Sequence, residues 1–147
     1  MDDTPYSGRF EAGSHRFAVR VYFEDTDAGG VVYHANYLRF MERARSDMMK
    51  LAGVSQREAI EAGTGVYVVA TIGLRYRAPA RLDDDLLVVS RIGKLRGATC
   101  AVHQRVMRGP EMLVEADVNV AFIGPDGRPR RQPREWIETL ERYRGTD

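Results

Sequence analysis

Apolar and polar positions along this chain repeat with two different periods, and the change between them divides it into strands and helices. Residues 16–23 (RFAVRVYF) alternate, which places Phe17, Val19, Val21 and Phe23 on one face of a strand. A Gly-containing loop over residues 24–34 follows. Tyr37, Met41, Ala44, Met48 and Leu51 then recur at intervals of four, three, four and three. That spacing lays an apolar stripe along a helix of about four turns, widened near its start by Leu38 and Phe40. Asn36 is the expected cap of this helix and Gly53 its stop. Ser55 and Glu58 fit a capping box opening a short second helix that closes near Gly63.

From there the period is two. Val66, Val68, Ala70, Ile72 and Leu74 are expected on one face of a strand. Residues 86–95 and 99–107 read as two more strands, joined by a turn at Arg96-Gly97. Residues 112–123 alternate cleanly, opposing Val114, Ala116, Val118, Val120 and Phe122 to Glu115, Asp117 and Asn119. Gly109-Pro110 and Gly124-Pro125-Asp126-Gly127 supply the flanking turns. Pro133 suits the first turn of a terminal helix, about residues 133–144, that packs Trp136, Leu140 and Tyr143. Short links between the last strands call for an antiparallel sheet. The expected architecture is α+β: one long helix against a five-stranded antiparallel sheet, with a short C-terminal helix. Such a core is thin, and covering the remaining apolar strand faces by dimerisation is a natural remedy.

Composition narrows the class. At 147 residues, one domain (1–147, with a core of about 16–123) is expected. Hydrophobic residues are 44% and charged residues 29%, which excludes a disordered tail, a collagen repeat or a disulfide miniprotein. No apolar run approaches the roughly 20 residues of a membrane span. The polar start, Met1-Asp2-Asp3-Thr4-Pro5, lacks the features of a signal peptide, so a cytoplasmic location is expected. The net charge of +1 offers no general basic excess for nucleic acid. Of the 22 basic residues, only Lys50 and Lys94 are lysines. Arginine is the better phosphate ligand, although genomic bias accounts for the same count. Arg128, Arg130, Arg131 and Arg134, with Arg75, Arg77 and Arg81, are candidate phosphate contacts against a more common solvated role. Cys100, the only cysteine, falls on an apolar strand and reads as packing. His15 and His103 read as structural.

The chemically distinctive segment is residues 22–37, YFEDTDAGGVVYHANY, with three acids, two glycines and a histidine between strand and helix. Such a loop can bring a carboxylate close to the free N–H groups of a helix start, where negative charge is favoured. The same amides would stabilise an oxyanion forming on a substrate carbonyl. Gly29-Gly30 permits close backbone approach. A carboxylate and an oxyanion hole suffice for hydrolysis when the leaving group needs little protonation, as with a thioester. The same acids, read structurally, are helix caps and dipole partners. The Asp-x-Asp-x-x-Gly stretch lacks the distal Glu of a calcium loop, so no metal site is expected.

Residues 25–40, DTDAGGVVYHANYLRF, continued by Glu42-Arg43-Ala44-Arg45, resemble the signature of the 4-hydroxybenzoyl-CoA thioesterase family, in its YbgC-type branch. Residues 74–84, LRYRAPARLDD, resemble the family's second strand and following turn. The resemblance implies a hotdog fold, in which the sheet wraps the long helix, and a homodimer or homotetramer. It implies hydrolysis of an acyl-CoA thioester with no cofactor beyond the substrate's own CoA. Asp27 falls on the family's catalytic aspartate, acting as nucleophile or as base. The backbone N–H of His34 falls on the carbonyl-polarising donor, and its imidazole orients Asp27 or substrate. Gly30 and Val31 would contact substrate. Tyr37 would line the acyl pocket or pack in the core. Alternatives are an aromatic substrate of hydroxybenzoyl or naphthoyl type, an acyl-carrier-protein substrate or partner, and a non-catalytic acyl-CoA-binding or assembly protein.

Overall fold

The computed structural model describes residues 3–144; Met1 and Asp2 of the polar N-terminus lie outside them. Its elements in chain order are β1 (Arg9–Glu11), β2 (Ser14–Arg20), a 3-10 turn (Phe23–Asp25), α1 (Asn36–Leu51), α2 (Gln56–Glu61), β3 (Val66–Tyr76), β4 (Asp85–Leu95), β5 (Thr99–Arg108), β6 (Glu111–Ile123) and α3 (Arg134–Tyr143). The sheet has six strands in the order β1-β2-β4-β5-β6-β3, every pair antiparallel. The α+β arrangement therefore stands, with six strands in place of five. The extra strand, β1, is three residues long and pairs Phe10 with His15 through a turn at Ala12-Gly13, too short to show a period.

The apolar face of α1 is the centre of the core. Tyr37, Phe40, Met41, Ala44, Met48 and Met49 are buried there against Val88, Ile92, Val102, Val106, Val114 and Val118 of the sheet. Leu38 and Leu51, assigned to the stripe from spacing, are exposed at 38% and 39%. Phe23 also departs from expectation. Strand β2 stops at Arg20, and Phe23 stands 82% exposed in the 3-10 turn. In β3 the register slips between Val69 and Thr71. This bulge reverses the alternation, because the side-chain period is two and one extra residue swaps faces. Tyr67 and Ile72 thus share the inner face, whereas Val66, Val68 and Ala70 do not share it with Ile72 and Leu74.

Two buried glutamines tie elements together through their side-chain amides. Gln104, fully buried on β5, donates to the Met41 carbonyl and the Ser90 hydroxyl and accepts from Arg45 at 2.8 Å. Gln132 ties the C-terminal arm to the β4–β5 turn by donating to the carbonyls of Arg96, Gly97 and Thr99, while the Tyr67 hydroxyl donates to it at 2.6 Å. Pro133 takes the cap position of α3. Trp136 packs edge-on to Phe122, as its place on the terminal helix predicts. Ser55 accepts from the Glu58 amide, one half of the expected capping box. Cys100 is buried in the core, in keeping with its expected packing role, and that burial pushes its thiol up to about 12.

Two predictions follow from packing. Gly65 has φ +151°, and a Cβ there would lie 2.6 Å from the Phe122 ring and 2.7 Å from the Ile123 carbonyl oxygen. Gly65→Ala is expected to cost about 1–3 kcal/mol, read as a lower urea midpoint. His15 is fully buried, with Nε2 2.7 Å from Asp47 Oδ2 and Nδ1 unpartnered. Burial depresses its pKa and outweighs the opposing bond to Asp47. The unfolded chain then takes up this proton near pH 6.5, before the fold does. Stability from neutral His15 is complete above that pH and declines as pH falls through it. Urea midpoints at pH 7.5 and 5.5 should differ in the wild type, and the difference should shrink in His15→Gln.

Candidate active site

The loop between β2 and α1 is folded by its own backbone. The amide of Asp27 donates to the Val31 carbonyl at 2.8 Å, and the Gly30 amide donates back to the Asp27 carbonyl. Gly30 sits at φ +82°, a conformation that favours glycine. Asp27, Gly30 and Val31 are thereby brought together in one tight turn. The Asp27 carboxylate is exposed; its Oδ1 accepts the Gly29 amide at 2.8 Å, and Oδ2 meets no described donor. A carboxylate held by one oxygen with the other free is oriented for attack on a carbonyl, or for taking a proton from water.

Asp25 supplies the anchor. Its two carboxylate oxygens accept from the Tyr22 amide and the Asn36 side chain, both at 2.8 Å, and its carbonyl accepts from Tyr33. Asn36 is therefore not the cap of α1 but its first residue, and its side chain clasps the loop. Ala35 holds the cap position with no side-chain bond. The Asn36 amide donates to Tyr33 and the Leu38 amide to Ala35, whereas those of His34, Ala35 and Tyr37 meet no acceptor among the described residues. An uncapped helix start of this kind carries partial positive charge and free donors.

His34 is exposed. Its ring lies 4.6 Å from that of Tyr33, and no hydrogen bond joins it to Asp27. Its carbonyl accepts from the Tyr76 hydroxyl at 2.8 Å. Tyr37 is only 2% exposed, and its hydroxyl accepts the Ala80 amide, so within one chain it packs in the core. The Ala80 carbonyl in turn accepts the Val32 amide, and Val31 bridges to Arg81. Residues 79–81 thus form one wall of the loop. Asp84 holds that wall by accepting from the Arg81 amide and from Arg108, bonds that lower its pKa. Sequence reasoning assigned no role to Tyr76, Ala80 or Asp84; the signal present was the second stretch of family resemblance, residues 74–84.

The arginines divide. Arg75 pairs with Glu115, and Arg130 donates to the carbonyls of Gly63 and Thr64, so both have partners inside the chain. Among the described residues, no group of three His, Cys, Asp or Glu side chains is placed to hold a metal ion. No helix among them is long and apolar enough to cross a membrane. A cavity beside α1, about 340 Å³, is lined by Met48, Met49, Tyr67, Val69 and Val102 and includes no residue of the Asp27 loop.

A model of the thioesterase superfamily matches residues 29–115. The chain belongs to that superfamily, has its hotdog fold and is a thioester hydrolase. It is 46% identical to the acyl-CoA thioesterase YbgC of Haemophilus influenzae over 107 residues, 73% of this chain and 79% of that protein. It is 44% identical to the acyl-CoA thioester hydrolase YbgC of Escherichia coli O157:H7, over 81% of this chain and 90% of that protein. A crystal structure of a probable thioesterase from Bartonella henselae superposes with a TM-score of 0.77 at 39% identity, covering 82% of this chain and 99% of that one.

The clasp generates its own prediction. Asn36→Ala removes one partner of the Asp25 carboxylate, a bond worth about 1.5–3 kcal/mol for a charged acceptor. Exchange of the Tyr22 and Tyr33 amides should accelerate in this variant, while amides of the central strands keep their protection.

Proposed function

We propose that the chain hydrolyses an acyl-CoA thioester to the free acid and CoA. The observation that carries this reading is the Asp27 carboxylate, exposed and held by one oxygen on a loop that ends in the uncapped start of α1. The YbgC relatives carry acyl-CoA hydrolysis in their names and match over most of this chain. Asp27 acts on the thioester carbonyl in one of two ways. As nucleophile, its free oxygen adds to the carbonyl carbon and the C–S bond breaks, leaving a mixed anhydride that water then cleaves. As base, it takes a proton from a water that adds directly, and the same C–S bond breaks. In both, the carbonyl oxygen gains negative charge that the His34 amide and its neighbours at the α1 start receive. The thiolate leaves without an acid, and the reaction draws on no cofactor beyond the substrate. Gly30 and Val31 border the reacting group.

A second copy of the chain completes this site. The Asp27 loop lies open on a single chain, ringed by Tyr22, Phe23, Tyr33 and Tyr76, which are 49–82% exposed. Strand β3 is a sheet edge with Val68 and Val69 exposed at 38% and 46%. Pairing of such edges is the usual way to retire one. Closure by a partner would exclude water and strengthen the electrostatics at Asp27.

The test is CoA release across short-chain, long-chain and aromatic acyl-CoAs and acyl-carrier-protein esters, with wild type and Asp27→Asn side by side. Asp27→Asn should keep the fold and lose about 10²–10⁴-fold in turnover, the scale of a positioned proton acceptor. An unchanged rate would sink the assignment. Binding without turnover in the wild type would favour a non-catalytic role.

A further inference from the structure

The face of the sheet turned away from α1 carries a charge pattern that hydrolysis at Asp27 does not use. Strand pairing places Arg16, Val89, Arg105 and Glu115 in one row across β2, β4, β5 and β6. Arg91, His103 and Asp117 form the next row. Val89 points outward with this set yet is only 4% exposed. It lies at a polar cavity of about 410 Å³ that Arg16, Arg91, Arg105, His103 and Glu115 also line, with the β1–β2 turn beside them. Long arginine stems can shield such a floor while their heads remain wet.

The charges here are not balanced within the chain. Among the described residues, Arg16, Arg91 and Arg105 form no ion pair, and the Nε of Arg16 is buried without an acceptor. The nearby acids are engaged elsewhere. Glu115 faces Arg105 but bonds Arg75 and lies 3.6 Å from His103, while Asp117 lies 3.7 Å from Arg75. Glu11, whose carboxylate feels Arg16, bonds Arg9 at 2.8 Å. Diagonal neighbours on adjacent strands are about 7–8 Å apart, so three guanidinium groups surround one apolar floor and repel one another. A bound dianion would relieve that repulsion, and guanidinium forks match phosphate oxygens in pairs.

The geometry points to a binding site for a diphosphate group on this outer face, centred on Arg16, Arg91 and Arg105. The group is either inorganic diphosphate or the diphosphate of a nucleotide. The cavity is half open to solvent, and its three guanidinium groups lie around a single apolar floor, which suits a compact anion.

Isothermal titration of the full chain with sodium diphosphate tests the site directly, without reference to esterase activity. Wild type should show saturable binding at one site per chain. Arg91→Gln/Arg105→Gln should weaken it at least tenfold without lowering Tm, since the change removes repulsion. Should the double variant fail to fold, either single substitution gives the same reading with a smaller loss. Titration with adenosine diphosphate separates the sources: tighter binding than diphosphate identifies a nucleotide, and weaker binding identifies the free anion. Absence of saturable binding, or binding that the variant leaves unchanged, overturns the proposal.

Discussion

Burial of Tyr37 under residues 79–81 sets the position of the Asp27 loop. The ring lies in the core, edge-on to Phe40 and Tyr76, and its hydroxyl accepts the Ala80 amide. Ala80 then takes the Val32 amide, and Val31 takes the amide of Asp27. A short run of hydrogen bonds therefore joins the interior to the carboxylate. The first turn of α1 satisfies two demands at once. One side is packed against the sheet, while the amides on the other side have no internal acceptor. Water or a substrate oxygen is left to meet them, because a donor cannot remain unpaired without cost. The same first turn that stabilises the fold thus leaves donors free for the proposed chemistry.

What could be read from the chain without coordinates follows from how local each determinant is. The stripe of α1 and the alternation of β6 depend on neighbours within a few residues, and both are found, with Leu38 and Leu51 falling outside the buried stripe. The turn around Asp27 was also readable, through its glycines and the family signature. The bulge in β3 was not, because nothing in Val-Tyr-Val-Val-Ala-Thr-Ile marks where the register must slip against β6. Asn36 misled for a different reason. An amide side chain before an apolar helix fits a cap, but a carboxylate eleven residues earlier in the chain is the stronger partner. Gln132 and the outward arginines of β2, β4 and β5 acquire their meaning only from strands that pair at long range.

The two ends of the loop also explain why the histidine and the aspartate need not touch. Asp27 is oriented by Gly29 and by its own backbone, and the role proposed for His34 is a main-chain donor whose carbonyl is fixed by Tyr76. Neither of these two roles passes through a bond between the imidazole and Asp27. Orientation through the main chain is less easily lost by a side-chain change than orientation through a His–Asp pair. It also leaves the loop's aromatic rim, Tyr22, Phe23 and Tyr33, free to meet another surface.

The choice of a thioester, over an ester or an amide, is consistent with what stands around Asp27. An amine or alkoxide leaving group must be protonated as it departs, which requires a second acid positioned opposite the attacking group. Within one chain the described bonds place a single carboxylate at the turn. Asp25, the nearest other acid in sequence, is already occupied by Tyr22 and Asn36 and holds the loop. A thiolate makes no such demand. Stabilising the oxyanion then becomes the principal task, and backbone amides at a helix start perform it without titrating. On this argument the proposed activity needs one carboxylate and a set of main-chain donors, not a paired acid and base.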